Sequence, residues 1–137
     1  MPTKAHDSDA GFDCYPRFED EPHRWEYRVG SHAPRRVPLG FKAAIPDGWY
    51  AQLREKSGLA AVGLHVMGGV IDSGFRGEWE AIVVFYSRIP NVDFYISPQK
   101  AICQFTLHRV PHVTLTPVDS LPASERGEGG FGSTAAK

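Results

Sequence analysis

Apolar and other residues alternate from Val37 to Ile45. Val37, Leu39, Phe41, Ala43 and Ile45 are separated by Pro38, Gly40, Lys42 and Ala44. A period of two is the pattern of a strand with one buried face. Pro46-Asp47-Gly48 then reads as a turn. Ala81 to Tyr86 is a continuous apolar run, the pattern of a strand buried on both faces. Ala101, Cys103, Phe105 and Leu107 alternate with Ile102, Gln104, Thr106 and His108, which predicts another strand. Val113 and Leu115 begin a last short one. The helical candidate lies around Lys56 to Val62, and Gly58 and Gly63 limit it to about two turns. No internal repeat is evident.

Composition agrees with many short strands. Eleven prolines and 14 glycines are spread through the 137 residues, which disfavours long helices. The length fits one domain. The expected fold is all-β, a distorted jelly roll or barrel with one short helix. Residues 1–118 form the β-domain, and residues 119–137 form a flexible arm of the kind that reaches a neighbouring subunit. Within the domain, Phe18 to Arg36 stands apart, rich in charge, histidine and aromatic rings. It reads as a long loop or an added hairpin, either a solvated insertion or a partner-binding surface.

The net charge of −1 argues against a general nucleic-acid or anionic-membrane binder. Any basic site must be local. No apolar run approaches the roughly 20 residues of a membrane span, and the N-terminus lacks a signal peptide's apolar core. The expected home is the cytosol. Cys14 and Cys103 form no CxxC pair and no zinc set, so they read as buried or half-buried thiols.

Four stretches carry chemistry. Gly68-Gly69-Val70-Ile71-Asp72-Ser73-Gly74-Phe75 reads as a β-hairpin with a carboxylate near its tip. Asp72 is either a turn former or a general base, able to take a proton from water within hydrogen-bond reach. Lys56-Ser57-Gly58 puts a cation, a hydroxyl and a glycine at a helix start, where N–H groups favour anions. The same residues also suit an ordinary helix cap. Asp13 follows a tight turn in Asp9-Ala10-Gly11-Phe12-Asp13. The tail, Arg126-Gly127-Glu128-Gly129-Gly130-Phe131-Gly132-Ser133-Thr134, is either a linker or a strap. An arginine fork suits phosphate, and a phenylalanine face stacks on a base, worth about 1–3 kcal/mol.

The order of these stretches is more telling than any one of them. Ala-Gly-Phe-Asp, Lys-Ser-Gly-Leu-Ala, Gly-Val-Ile-Asp-x-x-Phe-Arg-Gly-Glu, Ile-Cys-Gln and Arg-Gly-x-Gly-Gly-Phe-Gly-Ser-Thr follow one another from Ala10 to Thr134. This closely resembles the five ordered motifs of the trimeric dUTPases (dUTP nucleotidohydrolases).

The resemblance implies a dUTP diphosphatase that releases dUMP and pyrophosphate with magnesium, working as a homotrimer with shared active sites. Asp72 would orient and deprotonate the water that attacks the α-phosphorus. Phe75, where the family usually has tyrosine, would pack on the deoxyribose and exclude a 2′-hydroxyl. Backbone groups near Gly69, Val70 and Ile71 would read the uracil edge. Lys56, Ser57, Gly58 and Gln104 would contact substrate, and Asp13 would hold magnesium through water. Arg126 would grip the γ-phosphate and Phe131 would stack on uracil. Gly130, Gly132, Ser133 and Thr134 would line the phosphates. The chain departs from the pattern at Lys56, where the family has arginine; Arg54 or Arg76 would compensate. Gln99-Lys100-Ala101 replaces the usual Gly-Asp-Arg, and the usual first strand is missing. One rival is a dCTP deaminase, which needs a glutamate near position 82, where this chain has Ile82. Another is a dUTPase-fold, nucleotide-gated module that binds a protein partner through 18–36.

Overall fold

The computed structural model describes residues 1–18 and 27–129. Among these residues lie nine strands and one short helix. In chain order they are β1 (Phe12–Cys14), β2 (Tyr27–Val29), β3 (Arg35–Pro38), β4 (Trp49–Arg54), α1 (Ser57–Ala61), β5 (Leu64–Met67), β6 (Val70–Asp72), β7 (Glu80–Phe85), β8 (Phe94–Ile96) and β9 (Cys103–Arg109). They form a four-stranded sheet in the order β1-β9-β4-β6, a three-stranded sheet β3-β7-β5 and a ribbon β2-β8. Every ladder is antiparallel. The all-β expectation with a single short helix therefore holds.

One core joins the sheets. Cys14, Cys103, Ala51 and Leu53 face inward from the four-stranded sheet, and Val37, Ala81, Val83 and Leu64 from the three-stranded one. Trp79 is the largest fully buried side chain among the described residues. Its ring meets Phe41 at 4.9 Å and Phe105 at 5.1 Å between centroids.

The Val37–Ile45 alternation is real in burial but only partly a ladder. Strand β3 ends at Pro38, yet Leu39, Phe41 and Ile45 stay buried. Leu39 N–H donates to the Trp79 carbonyl at 2.9 Å, and Trp79 N–H to the Phe41 carbonyl at 3.0 Å. Three expectations need correction. The run Ala81 to Tyr86 is not buried on both faces throughout, because Ile82 and Tyr86 are 39% and 50% exposed. Val113 and Leu115 form no strand and are 71% and 92% exposed. The segment around Asp72 is not a two-stranded hairpin: β6 pairs with β4, while β7 pairs with β3 and β5. Gly68 and Gly69, at φ 71° and 96°, carry the chain from one sheet to the other. Within the 18–36 segment, the described Tyr27–Val29 form β2, which pairs with the distant β8. Residues 19–26 lie outside the described part.

The two cysteines are register partners on β1 and β9, and both are fully buried. A hydrogen bond with the Cys14 thiol, then burial, pushes the Cys103 thiol up. Folding therefore favours its protonated form. That contribution is intact below the ordinary thiol range near ~8.5 and is lost as pH climbs above it. A disulfide-exchange reagent at pH 7.5 is expected to titrate neither thiol in the folded protein and both after denaturation. Free-thiol rates in the folded protein would contradict this burial.

Candidate active site

Polar positions of β9 alternate with core positions, so Gln104, Thr106 and His108 lie on the outer face opposite Cys103 and Phe105. Gln104 stands between Asp13 of β1 and Arg54 of β4. Its Nε2 donates to the Glu55 carbonyl at 2.9 Å. This bond ties the entry of α1 to β9. The Gln104 amide lies close over Gly11, so a Cβ there would displace the amide from its present place. Lys56 Nζ donates to Asp13 Oδ1 at 2.5 Å. Asp13, Gln104, Lys56, Ser57 and Gly58 thus form one cluster from three separate stretches.

Lys56 is the N-cap residue of α1, with extended backbone and no side-chain cap. Its carbonyl accepts from Leu59 and Ala60, each at 2.9 Å. Ser57 and Gly58 are exposed, and first-turn N–H groups have no intrahelical acceptor. A Cβ at Gly58 would meet no protein atom within 4 Å. Packing therefore does not demand this glycine, and the space above it is open to a ligand. At five residues α1 is too short for its macrodipole to dominate, so anion attraction here rests on those donors and on Lys56.

The Lys56 and Asp13 side chains are 33% and 25% exposed. Water screens such a pair, which is worth about 1 kcal/mol or less. Asp13 Oδ2 accepts no hydrogen bond among the described residues. No group of three metal-ligating side chains exists among them either. This donor set does not make a cage for a bare cation. It does fit a hydrated magnesium ion that arrives on a polyphosphate, since magnesium keeps several waters and takes one or two carboxylates.

Asp72 belongs to a second cluster. It lies opposite Tyr50, whose other neighbour is His108. The Tyr50 and His108 rings stack at 5.1 Å, and Thr106 Oγ1 and His108 Nε2 share a hydrogen bond of 2.7 Å. Sequence reading missed this row; the polar period of two along β9 was its signal. Strand β6 is the sheet edge. The Gly69 carbonyl is taken by Leu53 N–H at 2.8 Å. The alternating ladder then points the main chain of Ile71 toward β4 and that of Val70 and Asp72 to the open edge. Ile71 packs on the core, whereas Val70 is 60% exposed. Gly69 must be glycine, because a Cβ there would lie 3.0 Å from Leu53 at positive φ.

Beyond Asp72 the chain turns, with Phe75 N–H donating to the Asp72 carbonyl at 3.1 Å. Arg76 Nη1 closes the turn on the Ser73 and Phe75 carbonyls at 2.6 and 2.9 Å. Arg76 is therefore committed to the turn and does not stand in for a second-motif arginine. The Arg54 side chain makes no hydrogen bond or ion pair among the described residues. The Phe75 ring, 42% exposed, lies over Gly77, where a Cβ would come within 2.5 Å of it. Glu78 anchors the return leg, accepting from Arg17 Nε at 2.9 Å and Gly40 N–H at 3.0 Å. Glu80 is bound by Arg36. Both glutamates are thus structural, which weighs against a deaminase.

The two clusters share one face but not one place. Asp13 and Asp72 sit on opposite edges, three strand spacings apart, or about 14 Å. Along β4 their rows differ by the four residues from Tyr50 to Arg54, or about 13 Å. The diagonal is roughly 19 Å. Arg126 lies in a third place. Its Nε donates to the Gly129 carbonyl at 2.9 Å, within an exposed run that begins at Arg109. Gly130, Phe131, Gly132, Ser133 and Thr134 lie outside the described residues.

An antiparallel β-domain with Asp72 on one edge strand and the Lys56–Asp13 contact at the opposite edge defines the fold class alone. Comparison with known proteins narrows it. A sequence model of the dUTPase family matches residues 1–135. The deoxyuridine 5′-triphosphate nucleotidohydrolase of Anaplasma marginale is 37% identical over 139 residues, covering 98% of this chain and 88% of that protein. The dUTPase of Staphylococcus bacteriophage 80alpha, solved with dUPNHPP, superposes with a TM-score of 0.78 at 21% identity, over 97% of this chain and 90% of that one. A mutant dUTPase from phage phi11 of S. aureus, whose structure details the coordination of a structural Mg(II) ion, gives 0.72 at 17% identity, over 88% and 90%. The chain belongs to the dUTPase family.

Replacing Gln104 by alanine removes the side-chain donor to the Glu55 carbonyl. We expect a loss of about 1 kcal/mol in urea unfolding, together with weaker nucleotide binding. Unchanged values for both would show that this bond does not hold the 55–58 stretch.

Proposed function

We propose that the protein hydrolyses dUTP to dUMP and pyrophosphate by water attack on the α-phosphorus, as a homotrimer with shared active sites. Asp72 is the general base and also receives the sugar 3′-hydroxyl. Its carboxylate is exposed and bound to no described residue, so a water can reach it. The Phe75 ring, fixed over Gly77, packs on the deoxyribose and leaves no room for a 2′-hydroxyl. Main-chain groups at the open edge, those of Val70 foremost, read uracil beside Gly69 and Ile71. Lys56, Ser57 and Gly58 bind the phosphates, with Gln104 holding their loop in place. Arg126 takes the γ-phosphate and Phe131 stacks on the base. Gly130, Gly132, Ser133 and Thr134 line the phosphates. Magnesium, held through water by Asp13, shields phosphate charge when it is bound.

The observation that carries this reading is the separation of the half-sites. A nucleoside triphosphate placed at Ser57 of one chain does not bring its α-phosphorus to Asp72 of the same chain. A second copy supplies Asp72, and residues 119–137 act as an arm that closes over a neighbour's site. Leu115 and Leu121, 92% and 84% exposed, gain a partner in that arrangement. No described helix is long and apolar enough to cross a membrane. Two unpaired thiols suit a reducing compartment, and we place the activity in the cytosol.

A second role for 18–36 is favoured by one cleft. The described part of this segment and the 87–93 loop wall a cavity of about 580 Å³. Arg28, His32 and Arg88 line it, and its one carboxylate, Asp93, is held by Arg28 at 2.6 Å. That contact raises the Arg28 guanidinium further. His32 and Asn91, the non-glycine residues at positive φ among the described residues, stand on its walls. The surplus cation suits an acidic segment of a protein partner.

Four measurements test these readings. Pyrophosphate release from dUTP with magnesium is expected, and a folded oligomer without turnover would sink the enzyme reading. Asp72→Asn should abolish turnover while dUTP still binds, and removing 127–137 should leave a folded but very slow enzyme. Refolding the two variants together should restore part of the rate if sites are shared between chains; a mixture as inactive as its components would point to self-contained sites. Deleting 19–26 should leave turnover within about twofold if the segment serves a partner and not the chemistry. A collapse in rate would instead make the segment part of the site.

A further inference from the structure

We propose that Lys56 is an exchangeable counter-ion. It occupies Asp13 in the nucleotide-free protein and moves to the polyphosphate when metal-bound nucleotide arrives. The inference rests on the dUTPase reading and adds to it a competition between this lysine and a cation for one carboxylate. Three observations support it. Lys56 Nζ lies 2.5 Å from Asp13 Oδ1, on the carboxylate that fits a hydrated cation. Both side chains are partly exposed, at 33% and 25%, so water and ions reach the contact. The lysine backbone is itself fixed: its carbonyl caps α1, and Gln104 holds the preceding carbonyl. Only the four-carbon stem has to swing for the ammonium to leave Asp13 and meet phosphate beside Ser57 and Gly58. The open space above Gly58 lies next to that path.

The residue type fits the task. An ammonium is a compact point charge on a flexible stem, whereas a guanidinium locks onto a carboxylate through a two-pronged fork. Exchange also keeps the charges balanced. A divalent cation and a triphosphate arrive together, the cation facing Asp13 and the ammonium facing phosphate. Neither carboxylate nor ammonium is left without an opposite charge.

Manganese is a usable probe, because its binding to the nucleotide-free protein is read by paramagnetic relaxation with no turnover involved. In the unaltered protein, Lys56 competes for Asp13 and binding is weak. Lys56→Met keeps the stem and removes the charge, and should tighten manganese binding by about tenfold, as the loss of one adjacent cation allows. Lys56→Gln serves equally if the methionine variant misfolds. Asp13→Asn added to either variant should erase the gain, and Lys56→Arg should keep the weak binding of the original. Affinity for an imido analogue of dUTP with magnesium should fall about 10- to 100-fold in Lys56→Met, the cost of a charge-assisted contact. Manganese affinity unchanged by Lys56→Met and by Lys56→Gln, or a gain that survives Asp13→Asn, would overturn the proposal. Absence of dUTP turnover in the unaltered protein would overturn the functional reading, while the manganese result would still stand on its own.

Discussion

The register of β9 is the constraint on which both core and site depend. This strand lies between β1 and β4, with Cys103 opposite Cys14 and Gln104 opposite both Asp13 and Arg54. Side chains alternate faces, so a slip of one residue would turn Gln104 into the core and Cys103 out of it. The fully buried cysteine pair and the contact of Phe105 with Trp79 forbid that slip. Burial on one face thus sets the position of the polar groups on the other. The site needs no separate scaffold; it is the outer side of the same strands.

That economy has a consequence. A ladder that puts Asp13 and Asp72 on opposite edges of one sheet holds them apart rigidly, by roughly 19 Å. Loop movement within the chain does not remove three strand spacings. The exposed run from Arg109 points the same way. Val113, Leu115, Val118 and Leu121 are between 61% and 92% exposed. Each apolar side chain of this size gains about 1.5–3 kcal/mol when fully buried, enough to offset much of the cost of ordering its segment. Sheet rigidity and the unburied run are the two features that the proposed sharing of sites between chains accounts for together.

What was legible in the sequence was local. The alternation along Cys103–Arg109, the run at Ala81–Phe85 and the glycine-limited helix at Ser57 all lie where their own periodicity puts them. The motif order carried the family, because each motif is a short contiguous stretch. Errors arose where a partner lies far away or is absent. Val113 and Leu115 have a strand pattern and no strand beside them in this chain. Val70–Asp72 looked like half of a hairpin because sequence proximity suggests pairing, whereas two glycines at positive φ pass it to another sheet. The Asp13–Lys56 contact spans 43 residues and the Gln104–Glu55 contact 49. Neither is readable from spacing. The cleft at Arg28 and Arg88 was equally hidden, since it depends on a parallel bridge between Ser31 and Phe85.

The distribution of arginine and lysine separates structure from function more clearly than burial does. Arg17 holds Glu78, Arg28 holds Asp93 and Arg36 holds Glu80, each tying one loop or strand to another. Arg76 is spent on two carbonyls of its own turn. These are fixed contacts, and the planar fork suits them. The cation at the second motif is the lysine, where the family has arginine, and its partner is the carboxylate beside the open helix start. An arginine at this position would grip Asp13 through two parallel bonds and release it reluctantly. A lysine makes a single-point contact here, and its side chain is less exposed than those of the paired arginines, at 33% against 44% to 74%. A group that changes partners as substrate arrives is served by a contact it leaves by breaking one bond and not two, and the Lys56–Asp13 contact is of that kind.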